Sequence, residues 1–112
     1  MRSEAIVAGT GFDGRAALIR AHVREGMPVQ LRRDRNNSYD ANAVGVWVQT
    51  SGFLGLFGKR WVQIGYIKAR AAEKVAKKLD DGIEVRAQVR SFWAPPDIRH
   101  PRVSLVLGLA ED

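Results

Sequence analysis

Valine returns at every second position through Val44, Val46 and Val48, and the same period recurs along most of this chain. Such alternation gives a strand one apolar face and one wetter face, a pattern a helix cannot use. Val29 and Leu31 alternate with Gln30 and Arg32 over residues 27–32, and Ile83, Val85, Ala87 and Val89 alternate with Glu84, Arg86, Gln88 and Arg90 over 83–90. Over residues 61–66 the rule places Val62, Ile64 and Tyr66 on one face and Trp61, Gln63 and Gly65 on the other. Residues 3–9 and 103–109 read as the first and last strands. Trp47 and Trp61 fall on the wetter faces of neighbouring strands, where a cross-strand pair is expected.

Two segments break the period. Residues 14 or 15 to 25 read as a helix with Asp13 as its cap, Leu18, Ile19, His22 and Val23 on one face, and Gly26 as its C′ residue ahead of Pro28. Residues 68–80 read as a second helix. There Ala71, Ala72, Val75, Ala76 and Leu79 face inward, Arg70, Lys74, Lys77 and Lys78 form an outer stripe, and Gly82 ends the run. A Pro-rich loop over 94–101 precedes the last strand. Six short strands and two helices without a regular βαβ repeat imply a mainly β (α+β), mostly antiparallel barrel, with residues 1–112 as one domain.

Between strands 27–32 and 43–49 lie Asn36, Asn37, Ser38, Tyr39, Asp40 and Asn42. Short polar side chains bond their own backbone, so this loop is expected to be rigid, with Asn42 purely structural. One Tyr and one Asp beside Arg32, Arg33 and Arg35 read as a recognition site. Tyr39 either stacks on a ligand or folds back over the barrel end.

The run Asp34-Arg-Asn-Asn-Ser-Tyr-Asp-Ala-Asn-Ala-Val44 resembles the signature of the HIRAN domain, D-x-N-N-P-Y-D-x-N-A-[IV]. Val7-Ala-Gly-Thr-Gly-Phe12, Gly26-Met-Pro-Val-Gln-Leu31 and Ile64-Gly-Tyr-Ile-Lys68 resemble three further family motifs, in the same order. The resemblance covers roughly residues 5–90 and implies an OB-like antiparallel β-barrel of six strands with two helices. It further implies a module that holds single-stranded DNA at a 3′ end and acts here as a stand-alone protein. By resemblance, Phe12 and Tyr39 stack on bases, and Asn36, Asn37 and Asp40 contact the terminal nucleotide. Tyr66 occupies a site position where a DNA-binding member of the family carries His. Gly11 replaces an Arg, and Ser38 the usual Pro.

Eighteen Lys and Arg against twelve Asp and Glu give a net charge of +6, which favours a polyanionic partner. Arg32, Arg33 and Lys68, next to signature elements, are the expected phosphate contacts. Single-stranded DNA is the expected ligand, RNA is the variant that composition leaves open, and a helicase or nuclease is the expected protein partner. Cysteine is absent, so there are no disulfides and no thiolate metal sites. The first residues lack a secretory apolar run and nothing approaches a membrane span, so a cytoplasmic location is expected.

Catalysis finds little support. His22 and His100 lack acidic or Cys partners at ligand spacing, Glu73, Asp80 and Asp81 do not compose a two-metal cluster, and no P-loop occurs. A binding module without cofactor or metal is expected. The connector 50–59 carries Phe53, Leu54, Leu56 and Phe57 among glycines. It either plugs a barrel end or forms an apolar patch, which makes a protein-interaction adaptor the alternative function.

Overall fold

Six strands close on themselves in the order β1-β4-β3-β2-β5-β6, with every neighbouring pair antiparallel. The computed structural model describes residues 2–50 and 59–109. The strands are β1 (Arg2–Ala8), β2 (Pro28–Arg33), β3 (Val44–Gln49), β4 (Trp61–Ile67), β5 (Val85–Trp93) and β6 (Arg102–Leu109). Helix α1 (Arg15–His22) lies between β1 and β2, and α2 (Ala69–Asp80) between β4 and β5. Closure leaves few edges for another chain to pair with, and the architecture is the expected OB-like barrel. The apolar connector residues Phe53, Leu54, Leu56 and Phe57 lie outside the described residues.

The alternating side chains meet inside. Val44, Val46 and Val48 are fully buried and pack with Val7, Ile64, Val89, Val103 and Leu105. Val75, Ala72 and Ala76 of α2 join this core, with Ala71 and Leu79 half-buried beside them. The expected inward face of that helix therefore holds. Among its cations Lys77 pairs with Asp81 at 3.2 Å, an exposed i,i+4 contact worth only a few tenths of a kcal/mol.

One strand changes phase. Val46 sits opposite Gly65, yet Trp47 sits opposite Gln63, so Ile64 is an extra residue in β4. A bulge of this kind turns over the residues that follow. Ile64 and Ile67 consequently point inward, and Tyr66, expected on the Ile64 face, turns out. Gly65 permits this because a Cβ there would overlap the Ala8 carbonyl oxygen and come 2.6 Å from Val7 Cγ1.

The same register separates the two tryptophans. Trp47 faces Gln63 and Trp61 faces Gln49, so the expected cross-strand pair does not form. Trp47 is instead covered by Arg32, whose guanidinium carbon lies 4.2 Å from the ring centroid. Helix α1 is shorter than its periodicity implies. Asp13 itself adopts φ 55 and the cap position falls to Gly14, with no side-chain cap bond. The helix stops at His22 because Val23 turns extended to fill the core. Gly26 thus belongs to the turn before β2, where its N–H donates to the Val89 carbonyl at 2.8 Å. Ile83 precedes β5 and is exposed.

Candidate nucleic-acid interface

Strand pairing gathers the candidate residues at one rim. Ala8 pairs with Tyr66, Tyr66 with Gly45, and Gly45 with Arg32. The turn after β1, the start of α2 and the loop between β2 and β3 therefore open from the same end of the barrel.

The loop over residues 34–43 is held from within. Asn37 Oδ1 accepts the backbone N–H groups of Tyr39 and Asp40, each at 2.9 Å. Asp40 Oδ1 accepts the N–H of Asn42 at 2.8 Å, and the Asp40 carbonyl accepts that of Ala43 at 3.2 Å. Its ends are clamped by the Asp34 N–H donating to the Ala43 carbonyl at 3.0 Å. The side chains that organise the loop are thus Asn37 and Asp40. Asn42, expected in that role, contributes its backbone and has an exposed side chain.

Arginines brace the loop from outside. Arg33 donates to the carbonyls of Ala43 at 2.7 Å and Ala41 at 3.1 Å, and its Nε donates to Asp80 at 3.0 Å. Arg35 reaches the same carboxylate oxygen at 2.6 Å. The Arg33 hydrogen bond, reinforced by the charges of Arg33 and Arg35, holds the Asp80 carboxyl below the usual carboxylate range. Asp80, dismissed as a metal ligand on sequence, is an anchor for this loop from the far end of α2. No group of three His, Cys, Asp or Glu suited to a metal occurs among the described residues.

A second anchor comes from β4. Turned outward by the bulge, Tyr66 donates its hydroxyl to Asp34 Oδ2 at 3.0 Å, and the guanidinium of Arg15 lies 5.3 Å from its ring centroid. Asp34 also receives the Asn37 amide at 3.4 Å. Arg15 carried no signal in the sequence, and Asp34 stood in the signature without an assigned role.

At this rim two aromatic rings of the described residues remain in water. Tyr39 is 96% exposed at the tip of the braced loop, and Phe12 is 56% exposed in the turn after β1. Phe12 leans on His100, with ring centroids 5.7 Å apart and planes tilted by 59°. The Pro-rich segment that carries His100 is pinned at both ends. Arg20 donates to the carbonyls of Ala94, Pro95 and Ile98, and Thr10 Oγ1 donates to that of Pro101 at 2.6 Å. A side chain at position 11 would overlap the His100 imidazole, so Gly11 lets this segment close against Phe12. Asn36 is exposed on the loop, and Lys68 is exposed where its backbone opens α2. Arg32, exposed over Trp47, also donates to Gln30 at 2.6 Å.

The sequence model of the HIRAN domain matches residues 3–98. The crystal structure of the HIRAN domain of human HLTF superposes with a TM-score of 0.67 at 21% identity, covering 96% of this chain and 74% of that one. A solved protein from Lactobacillus plantarum gives 0.68 at 24% identity, covering 96% and 97%. Among curated proteins none matches. At these identities the structural likenesses speak for the fold.

Proposed function

The chain belongs to the HIRAN domain family, a nucleic-acid-binding module, and on that premise we propose that it grips single-stranded DNA at this rim, selecting a 3′ hydroxyl end. The observation that carries the reading is Tyr39, an aromatic ring left in water on a loop held from within by the side chains of Asn37 and Asp40. Ordering such a loop in advance removes the entropy that binding would otherwise cost. Unpaired bases stack on Tyr39 and Phe12, each stack contributing about 1–3 kcal/mol. A duplex hides those base faces and binds more weakly.

Asp40 gives the reading its direction. One of its oxygens accepts the Asn42 N–H, and the other is available to a terminal hydroxyl as a charge-assisted acceptor. A phosphate at that place has no such donor and is repelled. Asn36 and Lys68, exposed beside the loop and at the α2 start, supply the polar and phosphate contacts, together with Arg32. Arg33 and Asn37 act by holding the loop, since their donors and acceptors are engaged within it. A helicase or nuclease that works on strand ends is the partner this activity would serve.

Fluorescence anisotropy with one oligonucleotide as single strand, blunt duplex and 3′-phosphorylated strand tests the reading. The hydroxyl-ended single strand binds best and weakens as salt rises. Equal affinity for strand and duplex would remove stacking, and equal affinity for both termini would remove end selection.

A further inference from the structure

On another side of α2 lies a groove of about 860 Å³ between that helix and β1, within the size range of binding clefts. Its floor is apolar: Ile6, Ala71, Val75, Val85 and Leu107. Its rim is basic. Lys68 stands at one end, and Arg70, Lys74 and Lys78 follow at four-residue spacing, which stacks them in a row along one side of the helix. The lone acid in the lining, Glu4, is turned to Arg90 at 2.9 Å. Among the described residues no carboxylate pairs with the four cations.

The opposite wall is a strand edge. β4 ends at Ile67, so β1 pairs with it only through Val7 and Ala8, while Arg2 to Ile6 pair with β6 alone. The Ile6 carbonyl, which accepts the Lys68 N–H at 2.9 Å, marks the side that faces α2. Strand geometry then aims the N–H and carbonyl of Glu4 the same way. Among the described residues neither finds a backbone partner in α2. Ile6 itself is 49% exposed, a large apolar side chain with no cover.

We propose that this groove binds an acidic protein segment in extended form, adding a strand to the β1 edge beneath the α2 cations. Strand addition takes its affinity from main-chain bonds and its selectivity from alternate side chains. Here one face of the segment would be apolar, against Ile6 and Val75, and the other carboxylate, towards Arg70, Lys74 and Lys78. Charge decides the sign of the occupant. The lining holds no aromatic side chain, so it offers bases nothing to stack on and favours a peptide over a nucleic acid. The proposal does not rest on the DNA-binding reading, with which it shares only Lys68 at the end of the rim.

The test uses the full chain and a short fluorescein-labelled peptide alternating glutamate with valine. Anisotropy should report saturable binding that weakens with salt, persists when single-stranded DNA is in excess, and falls at least tenfold for a lysine–valine peptide. The double change Arg70→Glu and Lys74→Glu, on exposed helix positions, should cost a similar factor with an unchanged melting curve. If that variant fails to fold, a glutamate–valine peptide N-methylated at alternate residues decides instead, since it keeps charge but loses strand pairing and should bind at least tenfold more weakly. Undiminished binding of the methylated or lysine peptide, or no saturable binding at all, would overturn the proposal. Displacement by DNA would assign the groove to the nucleic-acid path instead.

Discussion

Tyr66 and Asp34, thirty-two positions apart, meet through a hydroxyl–carboxylate hydrogen bond of 3.0 Å that ties the outer face of β4 to the first residue of the β2–β3 loop. Tyr66→Phe removes the donor and leaves Asp34 with the weaker Asn37 contact at 3.4 Å. The expected cost is about 0.5–1.5 kcal/mol of stability, read from urea unfolding, with faster amide exchange at Tyr39 and Asp40. A variant as stable and as protected as the parent would show that the bond does not brace the loop.

Tyr39→Ala should weaken single-strand binding by about 1–3 kcal/mol, the magnitude of one base stack. Because the ring is exposed, the melting temperature should hardly move, and the salt slope should stay the same. Loss of fold instead of loss of affinity would return Tyr39 to a structural role.

Arg32 and Arg33 are neighbours with different expected effects. Arg32→Ala should lower the salt slope by about one phosphate contact while the loop stays ordered. Arg33→Ala withdraws donors from the Ala41 and Ala43 carbonyls and from Asp80. It should destabilise the protein and weaken binding to strands of every length. Identical behaviour of the two variants in melting and salt titration would contradict this division.

Asp40→Asn keeps an acceptor for the Asn42 N–H but loses the charge. The parent should prefer a 3′ hydroxyl over a 3′ phosphate, and the variant should bind the two more equally. A preference that survives the substitution would show that Asp40 does not set it.

Acid should loosen the loop through Asp80. Its folded carboxyl titrates below the ordinary carboxylate value, chiefly because of the Arg33 hydrogen bond. The stability it contributes is therefore present above an unfolded value of ~3.9 and is lost as pH falls through the lower folded value. Asp80→Asn removes that dependence, so parent and variant should converge in stability at acid pH and diverge towards neutrality. A constant gap at all pH values would mean that Asp80 contributes by packing rather than by charge.

Several of these relationships were legible in the chain and several were not. The two-residue period named the strands, and the inward valines lie where it put them. The polar loop announced its own rigidity, though the residues that organise it are Asn37 and Asp40 rather than Asn42. The Asp13 cap failed because Asp13 itself adopts a left-handed conformation in the turn after β1, which passes the cap position to Gly14. The tryptophan pair failed because the register of the β3–β4 hairpin sets Trp47 opposite Gln63 and Trp61 opposite Gln49, a register that alternation alone does not fix.

What the sequence by itself determined is what arises within a few residues: strand alternation, the helical face of Ala72, Val75 and Ala76, and side chains of Asn37 and Asp40 that reach backbone two or three positions on. Only the tertiary structure decided that Tyr66 turns outward to Asp34, that Arg33 finds Asp80 from forty-seven positions away, and that Thr10 holds Pro101 across ninety-one. The physical reason is that such contacts depend on strand register and barrel closure. One extra residue in β4 reverses the face on which a side chain appears, and nothing local in the sequence marks where that residue must fall.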